Sequence, residues 1–236
     1  MLLAAALAGC ATPGGPGPTP EVVRDLGSLA GTLLARGRPE AAAALLEPVA
    51  RRDGDPTLSH LLGAALLRSG RPERALDWLD AALARAPDLA AAHHDRGRAL
   101  DALGRSPEAW ESYRRALALA PARAAAANDL GFSLLAAGRL EEAGRELERA
   151  LALDPRLEEA RGNLALAWLL RGRPERALAV LGAGRPPAAA RSDLGALAEL
   201  AGRRALARAL YREALALDPS HTPASRNLAR LEEELR

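Results

Sequence analysis

The seven residues GRPERAL stand at positions 70 to 76 and again at 172 to 178, 102 residues apart. That separation is three times 34, and about 34 residues is the period of a helix-turn-helix unit that stacks on copies of itself. With the turn glycine as a ruler, six such units appear: Gly37, Gly70, Gly104, Gly138, Gly172 and Gly202, spaced 33, 34, 34, 34 and 30. A unit of this kind cannot bury its apolar face alone, so the period commits the chain to an array in which each copy packs on the next.

Composition agrees. Alanine, leucine and arginine dominate, isoleucine is absent and aromatic residues make up 3%, a mixture that favours helix over sheet. Seven residues before each turn glycine stands a small residue (Ala30, Gly63, Gly97, Gly131, Ala165, Gly195), and five after it an alanine (Ala42, Ala75, Ala109, Ala143, Ala177, Ala207), which predicts a close helix crossing in every unit. Large residues fill complementary columns: Leu33, Leu66, Leu100, Leu134 and Trp168 on the first helix, and Leu46, Leu79, Tyr113, Leu147, Leu181 and Tyr211 on the second. Pro87, Pro121, Pro155 and Pro219 are expected to stop second helices, and Pro39, Pro72 and Pro174 to sit in the first turn of one, where the missing N–H is no loss.

This column set resembles the tetratricopeptide repeat (TPR) family throughout residues 23 to 221. The resemblance implies an all-α, right-handed TPR superhelical solenoid of six helix-turn-helix repeats (23–55, 56–89, 90–123, 124–157, 158–187, 188–221). Residues 222 to 236, TPASRNLARLEEELR, read as a C-terminal capping helix covering the last core face. Three departures stand out. Arg96 occupies a column that is leucine in the other five repeats, and Ala198 replaces a large residue; both point to local looseness or an outside contact. The fifth repeat is four residues short and runs into GAGRPP, where a kink or flexible joint is expected.

The amino terminus is of another kind. MLLAAALAGC is an apolar run too short to span a bilayer, and ATPGGPGPTP after it cannot build a core. The LAGC stretch, Leu7 to Cys10, resembles the bacterial lipobox. That resemblance implies a lipoprotein signal peptide over residues 1–9, lipidation of Cys10, and a Pro/Gly-rich tether over 10–22; Ala11 after the cysteine fits outer-membrane sorting, on the periplasmic face. The leader carries no Lys or Arg before its apolar run, which keeps a cytoplasmic protein as the alternative.

No catalytic motif is present: no nucleophile signature, no glycine-rich phosphate loop and no strand for one to follow. The histidines, His60, His93, His94 and His221, have no metal-ligand spacing, and adjacent helix residues such as His93 and His94 point about 100° apart. Neither an enzyme nor a metal or other cofactor is expected. The 32 basic residues, all arginine, are balanced by 30 acids with no contiguous basic stripe, which argues for a solvated ion-pair surface and against nucleic acid.

What the TPR resemblance implies instead is a concave groove for protein or peptide segments, lined by first helices. Its rows read His60, His94, Asn128, Gly162 and Ser192; Ala64, Arg98, Phe132, Leu166 and Ala196; and Leu67, Asp101, Leu135, Leu169 and Glu199. Phe132, Leu135, Leu166 and Leu169 are expected to form an apolar strip, with burial by neighbouring repeats as the alternative. Trp78 and Trp110 are placed on second helices, packing between repeats, and Trp168 in the core. Without lysine, the chain lacks the pattern by which some TPR domains clamp a C-terminal carboxylate.

Segments such as RGRALDALGRSPEAWESYRRALALAP resemble the pilus-assembly TPR lipoproteins, most like the TadD type of the tight-adherence (Flp) system, with the PilF type of type IV pili beside it. The resemblance implies a scaffold in assembly of a pilus or secretion system, with a secretin or pilus component as partner. A general TPR adaptor, either periplasmic and NlpI-like, recruiting peptidoglycan enzymes, or cytosolic, is the alternative.

Overall fold

The computed structural model describes residues 19–234, and within them thirteen α-helices. They run α1 (Pro20–Ala35), α2 (Pro39–Asp53), α3 (Pro56–Arg68), α4 (Pro72–Arg85), α5 (Ala90–Ala102), α6 (Ser106–Leu119), α7 (Ala124–Ala136), α8 (Leu140–Leu153), α9 (Glu158–Leu170), α10 (Pro174–Gly182), α11 (Pro187–Leu200), α12 (Arg204–Leu217) and α13 (Thr222–Glu233). They form six antiparallel pairs and a closing helix, an all-α repeat array. The chain divides into two compact units, one ending at Ala122 and the other starting at Arg123. The first holds α1 to α6, the second α7 to α13. Cys10 and the leader lie outside the described residues, as do tether residues up to Pro18. The tether expected through residue 22 gives way earlier, because Pro20, with φ already helical, opens α1.

The turn between paired helices is fixed by backbone chemistry. All six ruler glycines adopt φ between +67° and +75°, a region where an added side chain is strained. In each turn the arginine after the glycine donates its N–H back to the carbonyl four residues before the glycine: Arg38 to Leu33, Arg71 to Leu66, Arg105 to Leu100, Arg139 to Leu134, Arg173 to Trp168 and Arg203 to Ala198. That closure satisfies carbonyls that the helix end would leave open. Pro39, Pro72 and Pro174 begin their helices, and the second helices before Pro87, Pro121, Pro155 and Pro219 end two residues ahead of each proline.

The close crossing is real, with a different opposing group from the one the columns indicate. A Cβ built on Gly63 would stand 2.7 Å from Leu79 Cγ, on Gly97 2.5 Å from Tyr113 Cε1, on Gly131 2.6 Å from Leu147 Cγ and on Gly195 2.6 Å from Tyr211 Cε1. The glycine therefore makes room for the large residue of the second helix, while the alanine contributes mainly its carbonyl, as Ala143 O does at 3.3 Å from a Cβ built on Gly131. Leu79, Leu147 and Tyr211 are fully buried as a result. At about 1.5–3 kcal/mol for each buried large apolar side chain, this column is a main source of stability.

Arg96 proves to be neither loose nor turned outward. Its Nε lies 2.7 Å from Asp80 Oδ1 on α4 and its Nη1 donates to Ser112 Oγ on α6 at 2.8 Å, so it ties second helices on both sides of α5 where the other repeats use leucine. Ala198 is fully buried. The shortened fifth repeat shows itself as a nine-residue α10, closed by Gly184 at φ +73° before Pro187 opens α11. The closing helix behaves as a cap: Ala224 and Leu231 are fully buried, and Arg230, Glu232 and Glu234 pair with Glu199, Arg212 and Arg204.

Candidate protein-interaction face

Within each unit, each second helix packs on the first helix of the next repeat, and successive first helices also touch: α1 with α3 and α3 with α5, then α7 with α9, α9 with α11 and α11 with α13. Among the described residues no two successive second helices pack to that extent. The first helices thus form the crowded, inner side of each unit, which carries the residues ten, nine and six before the turn glycine, some exposed and others, such as His94 and Ser192, buried.

In the first unit this side carries a polar cluster. His60 Nε2 on α3 donates to Asp95 Oδ2 on α5 at 2.9 Å, and Arg98 Nη1 stands 3.3 Å from the other carboxylate oxygen. Burial pushes the Asp95 carboxyl up, but the His60 hydrogen bond and the charges of His60, His94 and Arg98 outweigh it and hold the group below the usual carboxylate range. His94 is buried, its ring 5.9 Å from that of Tyr113, so it packs inward rather than presenting itself to a partner. His93 donates to the Pro87 carbonyl at 2.9 Å. Among the described residues no group of three His, Cys, Asp or Glu side chains is placed to hold a metal ion.

The second unit repeats the geometry with amides. Asn163 Nδ2 on α9 donates to Asn128 Oδ1 on α7 at 3.1 Å, and Asn128 Nδ2 donates to Asp129 at 3.2 Å. His60–Asp95 and Asn128–Asn163 are both separated by 35 residues, so each links one position of a repeat to the next position of the following one. The sequence rows contained the first member of each pair and missed the second, which sits one residue further along the next helix.

The expected apolar strip is only partly present. Phe132 on α7 is 54% exposed and Leu166 on α9 half-buried, but Leu135 is 6% and Leu169 0% exposed. Leu135 and Leu169, three residues before the turn glycine, point into the seam with the second helix instead of onto the inner side. Asp101 and Glu199 of that same row accept hydrogen bonds from Tyr113 and Tyr211. Trp168 is buried as expected, with the guanidinium groups of Arg171 and Arg176 at 4.5 and 4.7 Å from its ring. Trp78 and Trp110 lie on α4 and α6, both second helices.

At Gly162 the inner side opens into a depression of about 190 Å³ lined also by Glu158, Leu181, Arg185, Asp193, Ala196 and Leu197. Another, of about 420 Å³, lies in the first unit, where Trp78, Asp77 and Arg85 face Arg51 and Ser59. No helix among the described residues is long and apolar enough to cross a membrane.

Family models described as tetratricopeptide repeat match residues 26–48, 55–122, 94–158 and 134–200, together most of the chain. The chain belongs to the tetratricopeptide-repeat family. A TPR array of this kind is a non-catalytic scaffold for protein interactions. No curated protein matches the sequence. Among solved structures, PilF of Pseudomonas aeruginosa is similar at 19% identity with a TM-score of 0.64, over 88% of this chain and 96% of that one. YrrB, described as a TPR protein with an unusual peptide-binding site, is 22% identical with a TM-score of 0.59, over 79% of this chain and 98% of its own. MamA from Desulfovibrio magneticus RS-1 is 25% identical with a TM-score of 0.58, over 66% and 89%. The likenesses to PilF and YrrB are of the TPR fold alone.

Proposed function

We propose that this TPR protein is a lipid-anchored scaffold on the periplasmic face of an outer membrane, where its inner side holds a protein segment during assembly of a pilus or secretion system. The LAGC motif carries the anchoring, since Cys10 followed by a Pro/Gly tether is what a mature lipoprotein needs between its lipid and its first helix. The pilus reading draws support from the repeat segments resembling pilus-assembly TPR lipoproteins and is compatible with the shared fold of PilF. The inner side offers amides, a half-buried leucine and an exposed phenylalanine, a surface for an extended segment of protein.

A general adaptor is the second reading, because TPR columns reflect helix packing and recur across unrelated functions. One experiment separates the two. The full gene with its native upstream region is expressed in a Gram-negative host, the membrane fraction crosslinked and captured proteins identified by mass spectrometry, with Cys10→Ala in parallel. Membrane association and capture of a secretin or pilus component, both lost in Cys10→Ala, is the expected result. A soluble protein in both versions, bound only to cytosolic partners, would overturn the anchored reading.

A further inference from the structure

We infer that the depression at the shortened fifth repeat is a socket for one uncharged, apolar side chain, of leucine or methionine size, on an extended segment of the partner protein. The inference rests on the reading of the inner side as the binding face and assigns its specificity to one place. Three observations lead to it.

The socket sits at the shortened repeat. With α10 only nine residues long, the chain turns early through Gly184, and the depression lies among α9, α10 and α11. Two small residues widen it on the inner side. Gly162 occupies the column held by His60, His94, Asn128 and Ser192 elsewhere, and Ala196 the column held by Ala64, Arg98, Phe132 and Leu166. Leu181, almost fully buried, and half-buried Leu197 give it apolar walls.

Its size selects a side chain over a small molecule. Pockets that enclose a small-molecule ligand run to roughly 300–1,000 Å³, and the socket has about 190 Å³. Its charge selects a neutral one. Arg185 Nη1 pairs with Asp193 Oδ2 at 2.8 Å and stands 3.8 Å from Glu158, which also faces Arg161 Nε at 3.4 Å. Glu158, Asp193 and Arg185 are the charged residues of the lining, and Arg161 beside it brings the second guanidinium, so each lining charge already faces an opposite one. A partner residue bringing its own charge meets groups already paired with one another and loses hydration, whereas an apolar one gains the burial of its surface.

Gly162 supplies a clean test. It lies inside α9, and a Cβ added there meets nothing within 4 Å, so Gly162→Leu fills the socket without straining the fold. Arg145, exposed on the second helix α8 of the same unit and off the inner side, makes the control Arg145→Leu. The full chain and both variants are panned against a displayed library of random ten-residue peptides, and melting curves are recorded for each. The expected result is enrichment of peptides sharing one Leu or Met flanked by uncharged residues, at least tenfold weaker binding to Gly162→Leu, unchanged binding to Arg145→Leu, and no loss of melting temperature in either. Enriched peptides that bind Gly162→Leu as well as the parent, or that carry a fixed charged residue at the selected position, would overturn the socket while leaving the inner side a binding face. Enrichment of no peptide at all would overturn both.

Discussion

The phenol of Tyr113 donates to Asp101 Oδ2 at 3.0 Å, twelve residues back across the turn, and Tyr211 repeats the relationship with Glu199 at 2.5 Å. In the four other repeats the same two columns hold leucine and leucine: Leu34 with Leu46, Leu67 with Leu79, Leu135 with Leu147, Leu169 with Leu181. The columns change together because a buried phenol needs an acceptor and a buried carboxylate needs a donor. For Tyr211, burial and the Glu199 carboxylate both push the phenol well above its ordinary value, keeping it a donor.

The pairing predicts strong coupling. Asp101→Leu alone, which takes the acceptor from a buried phenol, should cost about 1–3 kcal/mol, and Tyr113→Leu alone a similar amount. The double change restores the pair used by four repeats and should cost at least about 1 kcal/mol less than the two single effects added. Urea unfolding of the four proteins measures this; strict additivity would sink it.

Two glycines on first helices should respond with opposite sign. Gly131→Leu drives a side chain into Leu147, whose Cγ lies 2.6 Å from the nearest possible Cβ, and should cost about 1–3 kcal/mol or more. Gly162→Ala meets no atom within 4 Å and should stabilise by about 0.5–1 kcal/mol, the usual gain over glycine in a helix interior. Thermal melts of the two variants test the register of the array directly, and a Gly131→Leu protein melting like the parent would refute it.

How far the sequence discloses this molecule depends on whether the cause is local. Turn glycines, stop prolines and close crossings are backbone requirements, so spacing alone found Gly37 to Gly202 and the role of Gly131. Leu135 and Leu169 were expected on the groove because a row of first-helix residues was read without the second helix that covers them. The partners of Arg96 escaped for the same reason, since Asp80 and Ser112 lie on helices before and after its own. The Asn128–Asn163 link was hidden by a one-residue offset; the short fifth repeat was legible in the spacing, but not the depression beside it, whose walls come from three different helices.

The buried Asp95 gives the stability an acid limb. Its carboxyl titrates lower in the folded than in the unfolded chain, so the unfolded state binds more protons as pH falls through the unfolded value of about 3.9. The contribution is complete above that pH and lost as pH drops through the lower folded value. Asp95→Asn, which removes the charge that His60 and Arg98 face, should lower stability at pH 7 by about 1–3 kcal/mol, with the gap to the parent narrowing below about pH 4. Melting temperatures from pH 3 to pH 7 settle it; a gap constant across that range would show that Asp95 carries no pH-linked stability.

The central claim is that the array works by holding a partner on the inner side of its first helices. The most direct measurement places a photo-crosslinking phenylalanine analogue at Phe132, exposed on α7, and separately at Arg145, exposed on the second helix α8, and irradiates cells expressing each full-length protein. A discrete adduct from position 132, absent at 145 and lost when Gly162→Leu is added, is the predicted result. Adducts from 145 alone, or equal adducts from both positions, would contradict the account.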